Sequence, residues 1–446
     1  MNNKSFRKPV ETNKRDKYSQ YGFKQNPFPF DPTVKPTSSD YRENGSVFLE
    51  ELRKDELIEF KSRIADCDTK IGFLMDYAAY KSRGIGKTAF LNYVKNKINQ
   101  DLGYEMTDGQ EILYAIYVTP SPDKRERNMP LIARNIYNSM FSSDLFLIVF
   151  SRLRAFSGII PDDVLDEVSD NYRETIANDE WLKEKGIYID KLNKAVSDTL
   201  VGIGIEVNFE YNTLMPRNSY ELFLESIKLE QSDYIWKNNG CDFLFTTLVR
   251  LFKEAYFTHC IILLDEVEKI VTYQNFAERH AFCDSLRNYF VDGVSFNAID
   301  GFYKILLTIH PNSQELLMPH WSAAGLNRFS ELGGTSANQN TIFFQPIKNT
   351  NDMAVKLAQA YINCARESNH NSISPFTEEA LSEAMLKAGN IPGLFLKYMY
   401  MAIERGIELK WSIIGKKEIS LLWTNSADSA DNSNQAVQLP DTKTEL

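Results

Sequence analysis

Between Ala78 and Phe90 the chain reads Ala-Ala-Tyr-Lys-Ser-Arg-Gly-Ile-Gly-Lys-Thr-Ala-Phe, and this run limits the possible fold more than any other. Gly84 and Gly86 permit backbone angles that turn successive N–H groups inward around an anion. Lys87 supplies a mobile cation for phosphate oxygens, and Thr88 a hydroxyl suited to Mg²⁺. Arg83, Ile85 and Ala89 complete the candidate phosphate-binding stretch. A helix is expected from Thr88 to Ile98, its N-terminal dipole favouring the same anion. Ile71 to Tyr77 reads as the strand that feeds the loop. Strand, glycine loop and helix in that order call for an α/β fold.

About 170 residues further on, Cys260-Ile-Ile-Leu-Leu-Asp-Glu-Val267 supplies the partner such a loop requires. Ile261 to Leu264 is wholly apolar, as a central parallel strand demands. Two carboxylates, Asp265 and Glu266, stand at its end, where an apolar interior does not keep charge without a task. Asp265 is placed to hold a Mg²⁺ shell, mostly through water, and Glu266 to polarise a water attacking a γ-phosphate. Alone, Gly84–Thr88 also reads as an ordinary strand–turn–helix junction; the pairing with the acidic strand turns the reading to ATP with Mg²⁺.

Length and composition set the frame. With 446 residues the chain suits two or three domains, and 43% hydrophobic content supports a sizeable core. The longest apolar run, Leu145 to Phe150, is too short to cross a bilayer, and Met1-Asn-Asn-Lys-Ser lacks the apolar core of a signal peptide. Five scattered cysteines without a C-x-x-C pair indicate neither a disulfide framework nor a zinc site, which suits a reducing cytoplasm. A net charge of −10 argues against coating nucleic acid with the whole surface. The basic arm of residues 1–20, from Lys4 to Lys17, reads either as a solvated terminus or as a contact for phosphate backbone.

Along the chain, Tyr21-Gly-Phe-Lys-Gln-Asn-Pro-Phe-Pro-Phe30 is an extended aromatic segment that must pack on something. Helices are expected over Leu49–Ile64, Met129–Phe150 and Phe243–Ala255, and further strands over Glu111–Thr119, Phe302–Ile309 and Asn340–Pro346. Residues 151–240 form an acidic, helical insertion with no chemical motif. Arg125, Arg127 and Arg134 read as solvated helix residues. After Pro346 the pattern is wholly helical, over Met353–Arg366, Thr377–Ala388 and Pro392–Arg405, with Thr377 as an N-cap. The expected domains are a flexible arm (1–20), an α/β nucleotide-binding domain (21–348), a helical lid (349–423) and a polar, disordered tail (424–446).

These residues resemble the AAA+ ATPases, and within them the general-secretion ExeA type and the transposon target-selecting ATP-binding subunits. Four stretches carry the likeness: Tyr21-Gly-Phe-Lys-Gln-Asn-Pro-Phe28, Asp265-Glu266, Ile305-Leu-Leu-Thr-Ile-His-Pro-Asn-Ser313 and Gly389-Asn-Ile-Pro-Gly-Leu394. The resemblance implies a P-loop NTPase of the ASCE/AAA+ kind, with a five-stranded parallel sheet between helices and a C-terminal helical lid. It further implies that the Phe28 segment borders the adenine, that His310 takes the polar sensor place, and that Arg328 reaches a neighbouring subunit's γ-phosphate. Two departures stand out: Lys81 replaces the loop's first glycine, and Gly393 stands where the lid usually has arginine. Both put the hydrolysis rate in question rather than binding.

The resulting expectation is an ATP-hydrolysing, homo-oligomeric regulator of a protein or DNA client, as in transposition or defence against mobile elements. A signalling ATPase and a scaffold that binds ATP with little turnover are the alternatives. A metabolic kinase fits less well, because Glu266 beside Asp265 suits water activation better than transfer to an acceptor.

Overall fold

A computed structural model describes residues 17–65, 68–76, 84–120, 127–168, 171–209, 217–333, 340–348, 350–366 and 372–422. Five strands form one sheet: β1 Ile71–Asp76, β2 Leu113–Val118, β3 His259–Leu264, β4 Tyr303–Ile309 and β5 Thr341–Phe344, in the order β2-β3-β4-β1-β5. Every pairing is parallel, with Leu113 opposite His259, Ile262 opposite Ile305, and Phe73 opposite both Leu307 and Thr341. Parallel neighbours need long crossovers, and helices supply them. β1 and β4 are buried at every residue, so both faces of the sheet are covered, and their sequences are accordingly mostly apolar rather than alternating, with Asp76, Lys304 and Thr308 as buried polar exceptions. The expected α/β class, a five-stranded parallel sheet sandwiched by helices, is what the chain adopts. β4 separates the strand that precedes the glycine loop from the strand that ends in the acidic pair.

The chain divides into two compact units. The larger takes the described parts of Asp55–Ala79 and Leu91–Phe344, and so holds the sheet. At its edge strand β2, Ala115 has no strand neighbour on one side. Asn99, on α1 (Lys87–Asp101), takes that place: its side chain accepts from the Ala115 amide at 2.7 Å and donates to the carbonyl at 2.9 Å.

The helix expected over Met129–Phe150 is two helices, α2 Met129–Phe141 and α3 Leu145–Ala155. The break falls where Ser143 turns its hydroxyl on the backbone, donating to the Met140 carbonyl at 2.7 Å and accepting from the Leu145 amide at 3.3 Å.

The acidic insertion is helical, as expected, and is built into this unit. Its longest helix is α4, Ile189–Gly202, whose Val196 and Leu200 join the main core with Phe150 and Phe223. A smaller core gathers Ile160, Val164, Ile176, Leu182, Ile187 and Leu192. The fully buried Arg154 fastens the two, donating to Asp179 at 2.6 Å, to Asn193 at 3.0 Å and to the carbonyls of Ile176 and Ala177. Burial pushes the Asp179 carboxyl upward, but Arg154 beside it and the Ser219 amide bring it below the usual range. Breaking such a pair leaves an uncompensated buried charge, so the insertion is a fixed part of this unit. After the β4 strand comes α5, Pro311–Ala323.

The smaller unit takes the described parts of Met1–Lys54, Tyr80–Phe90 and Gln345–Leu446. Its helices are α6 Thr350–Ala365, α7 Glu378–Lys387 and α8 Pro392–Glu408, and Thr377 caps α7 by accepting from the Ala380 amide. The N-terminal aromatic segment packs here. Tyr21, Phe23 and Phe28 enter the helical core, and Asn26 donates to the Tyr400 carbonyl at 3.1 Å and to Glu404 at 2.9 Å. Lys17, the one arm base within the described residues, pairs with Glu404. Grouping by contact thus joins the aromatic segment to helices α6–α8 rather than to the sheet. The tail from Thr424 lies outside the described residues. Among those described, no helix is long and apolar enough to cross a membrane.

Candidate functional site

In the smaller unit, Gly84 and Gly86 both have positive φ, +84° and +103°, in the region where a side chain is strained. The space around them differs. A Cβ on Gly86 would meet nothing within 4 Å, so backbone angle alone demands glycine there. A Cβ on Gly84 would come 3.3 Å from the Cα of Gly393, at the start of α8. Gly393 donates its amide to the Gly84 carbonyl at 2.8 Å, and a Cβ on Gly393 would lie 2.9 Å from the Gly84 backbone. The position where the resembled family has arginine is therefore a close backbone-to-backbone contact.

Between the glycines, Ile85 is buried and its carbonyl accepts from Arg53 at 2.5 Å. The same guanidinium, itself buried, donates to the Gln345 carbonyl at 2.8 Å. Helix α1 begins directly after Gly86, placing Lys87, Thr88 and Ala89 in its first turn, and Phe90 closes the turn onto the Gly86 carbonyl at 2.9 Å. Phe90 is fully buried, with its ring against Phe48. Lys81 and Arg83 lie outside the described residues.

In the larger unit, the Asp265 amide extends the β2–β3 ladder by donating to the Val118 carbonyl at 2.9 Å. Its carboxylate is nearly buried, and donors surround it. Thr308 on β4 donates to one oxygen at 2.7 Å, the Glu266 amide reaches the same oxygen at 2.9 Å, and Tyr117 on β2 donates to the other at 3.0 Å. The Thr308 hydroxyl also accepts from the Glu266 amide at 2.7 Å. Glu266 has φ +53°, an uncommon conformation for a residue with a side chain, and such strain concentrates at working sites. Its carboxylate accepts from Thr119 at 3.1 Å and forms an ion pair with Lys269. To act as a base on water, Glu266 must leave that cation.

The other candidates are placed as follows. His310 follows β4 and serves as the N-cap of α5, accepting from the Asn312 amide. Arg328 is exposed at the end of a short turn, Leu326–Arg328. Phe28 is fully buried in the helical core of the smaller unit, its ring 6.0 Å from those of Tyr361 and Phe376.

Sequence reasoning passed over Arg53, Tyr117, Thr119, Thr308 and Lys269. Thr308 left a legible sign, a hydroxyl inside the apolar strand Tyr303-Lys-Ile-Leu-Leu-Thr-Ile. Arg53 left none, since one arginine near a turn is indistinguishable from a surface residue. Among the described residues, no cluster of histidine, cysteine or carboxylates forms a metal site by itself.

No family model matches this sequence, and no curated protein matches it. Among solved structures, a Walker-type ATPase of Pyrococcus abyssi is similar at 14% identity and a TM-score of 0.39, over 91% of this chain and 80% of that one. The order and register of the sheet, not that likeness, carry the fold. The comparisons single out neither the secretion family nor the transposon family.

Proposed function

We propose that this chain binds ATP with Mg²⁺ and works as a nucleotide-switched, oligomeric regulator of a protein or DNA client, turning ATP over slowly. The observation that carries the reading is the stretch Gly84–Ala89, with two glycines in the left-handed region leading at once into a helix whose first residues are Lys87 and Thr88. Lys87 would contact the β and γ phosphates, and Thr88 and Asp265 would hold the Mg²⁺ shell. The ion would supply charge neutralisation as the γ-phosphate leaves. Glu266 would orient and deprotonate water, with His310 as the polar sensor and Arg328, exposed on its turn, reaching a second copy of the chain.

Slow turnover is supported by two features: the Glu266–Lys269 ion pair, and Gly393 in the place of a lid arginine. The same features favour a second reading, an ATP-binding scaffold. Phosphate release separates the two. If Glu266→Gln falls well below wild type, the chain is an ATPase; equal, near-background release from both favours the scaffold. Light scattering with and without ATP tests assembly, and a monomer under both conditions removes the role of Arg328. For the client, ATP-dependent DNA retention at two salt concentrations decides: no retention and no salt slope leaves a protein client.

A further inference from the structure

The glycine loop is held from behind by two groups, and what they hold are carbonyls. Arg53 takes the carbonyl of Ile85, and the Gly393 amide takes that of Gly84. In a trans peptide the C=O and the following N–H point in opposite directions. The Gly84 carbonyl drawn toward Gly393 therefore turns the Ile85 amide away from α8. The Ile85 carbonyl drawn toward Arg53 turns the Gly86 amide away from the guanidinium. Neither amide has an acceptor among the described residues, although Ile85 is only 3% exposed. Buried amides without an acceptor are rare in folded chains and mark a place where a partner is expected.

We infer that Arg53 and Gly393 are positioning residues for phosphate: they fix two consecutive peptides so that the amides of Ile85 and Gly86 stand ready as a pair of donors to an anion. This rests on the ATP reading and adds to it the residues that shape the loop. It also gives Gly393 a task. A side chain there would separate α8 from Gly84, so glycine lets the lid helix grip the loop through its backbone, where an arginine would act through a long side chain.

The test is calorimetric titration of the full chain with ATP and Mg²⁺, well below each variant's melting temperature, for wild type, Arg53→Met, Arg53→Lys and Gly393→Ala. Each disturbed carbonyl loosens one amide, so Arg53→Met and Gly393→Ala are expected to bind about tenfold more weakly, the equivalent of one hydrogen bond. Lysine can reach one carbonyl but not fork to two, so Arg53→Lys should recover part of the loss. Amide exchange at Ile85 and Gly86 should slow on adding ATP to wild type and slow less in the variants. Wild-type affinity in Gly393→Ala and Arg53→Lys, whatever their stability, overturns the inference and leaves the ATP reading intact. Should Arg53→Met not fold, those two variants carry the test. No binding by the wild type overturns the ATP reading itself, and the inference with it.

Discussion

The loop Gly84–Ala89 and the acidic pair Asp265–Glu266 are held in opposite ways. The loop is fixed through its main chain: Gly393 and Arg53 grip carbonyls, and glycine angles do the rest. The acidic pair is fixed through side chains, with Thr308, Tyr117, Thr119 and Lys269 arranged around two carboxylates. Backbone holding tolerates no added atoms. Side-chain holding tolerates any residue that keeps the polar atom in place. The two regions should therefore answer differently to conservative substitution.

The largest effect should come from placing an arginine at position 393, as the resembled family has it. Gly393→Arg puts a Cβ into the Gly84 backbone, and overpacking of this kind costs about 1–3 kcal/mol. ATP affinity is expected to fall between about tenfold and a hundredfold rather than rise. Stronger binding in a titration would break the contrast at its root. Next, Thr308→Val strips the hydroxyl from a donor–acceptor chain and should cost about 2 kcal/mol in urea melts. Thr308→Ser should recover most of that, a rescue that no residue larger than glycine offers at Gly84 or Gly393.

A third prediction separates stability from chemistry along one strand. His259 begins the strand whose far end leads into Asp265, and burial, aided by the nearby Lys304, pushes its imidazole down to about 4 from 6.5. The unfolded chain takes up the proton first, so stability is intact above pH 6.5 and declines as pH falls toward 4. The decline from this residue should be about 1–2 kcal/mol, and His259→Gln should flatten it in pH-dependent melts without altering ATP affinity at pH 7.5. The smallest effect is expected from Lys269→Met. Freeing Glu266 from its cation should raise phosphate release about two- to fivefold with little change in binding, in line with a modest, partly exposed ion pair.

How much of this was legible depends on whether a residue's task shows in its neighbours along the chain. Gly84, Gly86, Lys87 and Thr88 fall within five residues, so a glycine turn running into a helix could be read, as could strand β3 and the Thr377 cap. The five-stranded parallel sheet followed from apolar runs of strand length separated by helical ones. Tyr117 and Thr119 could not be tied to the acidic pair, because the tie is made by the β2–β3 register, which sets Tyr117 opposite Leu263. The burial of Phe28 was hidden for a related reason. An aromatic beside prolines looks available for stacking until the helices that bury it, more than 300 residues away, are in place. The break at Ser142–Asp144 was hidden by the apolar runs on both sides. Gly393 looked like a loss, and its close approach to Gly84 gives it a structural purpose.

The central claim is that the loop beginning at Gly84 binds the phosphates of ATP, and one calorimetric comparison of wild type with Lys87→Ala tests it most directly. The account predicts saturable heat from ATP with Mg²⁺ on the wild type, and loss of that heat in a Lys87→Ala variant that melts normally. No heat from folded wild type with either ATP or GTP, or equal heat from both proteins, would contradict it.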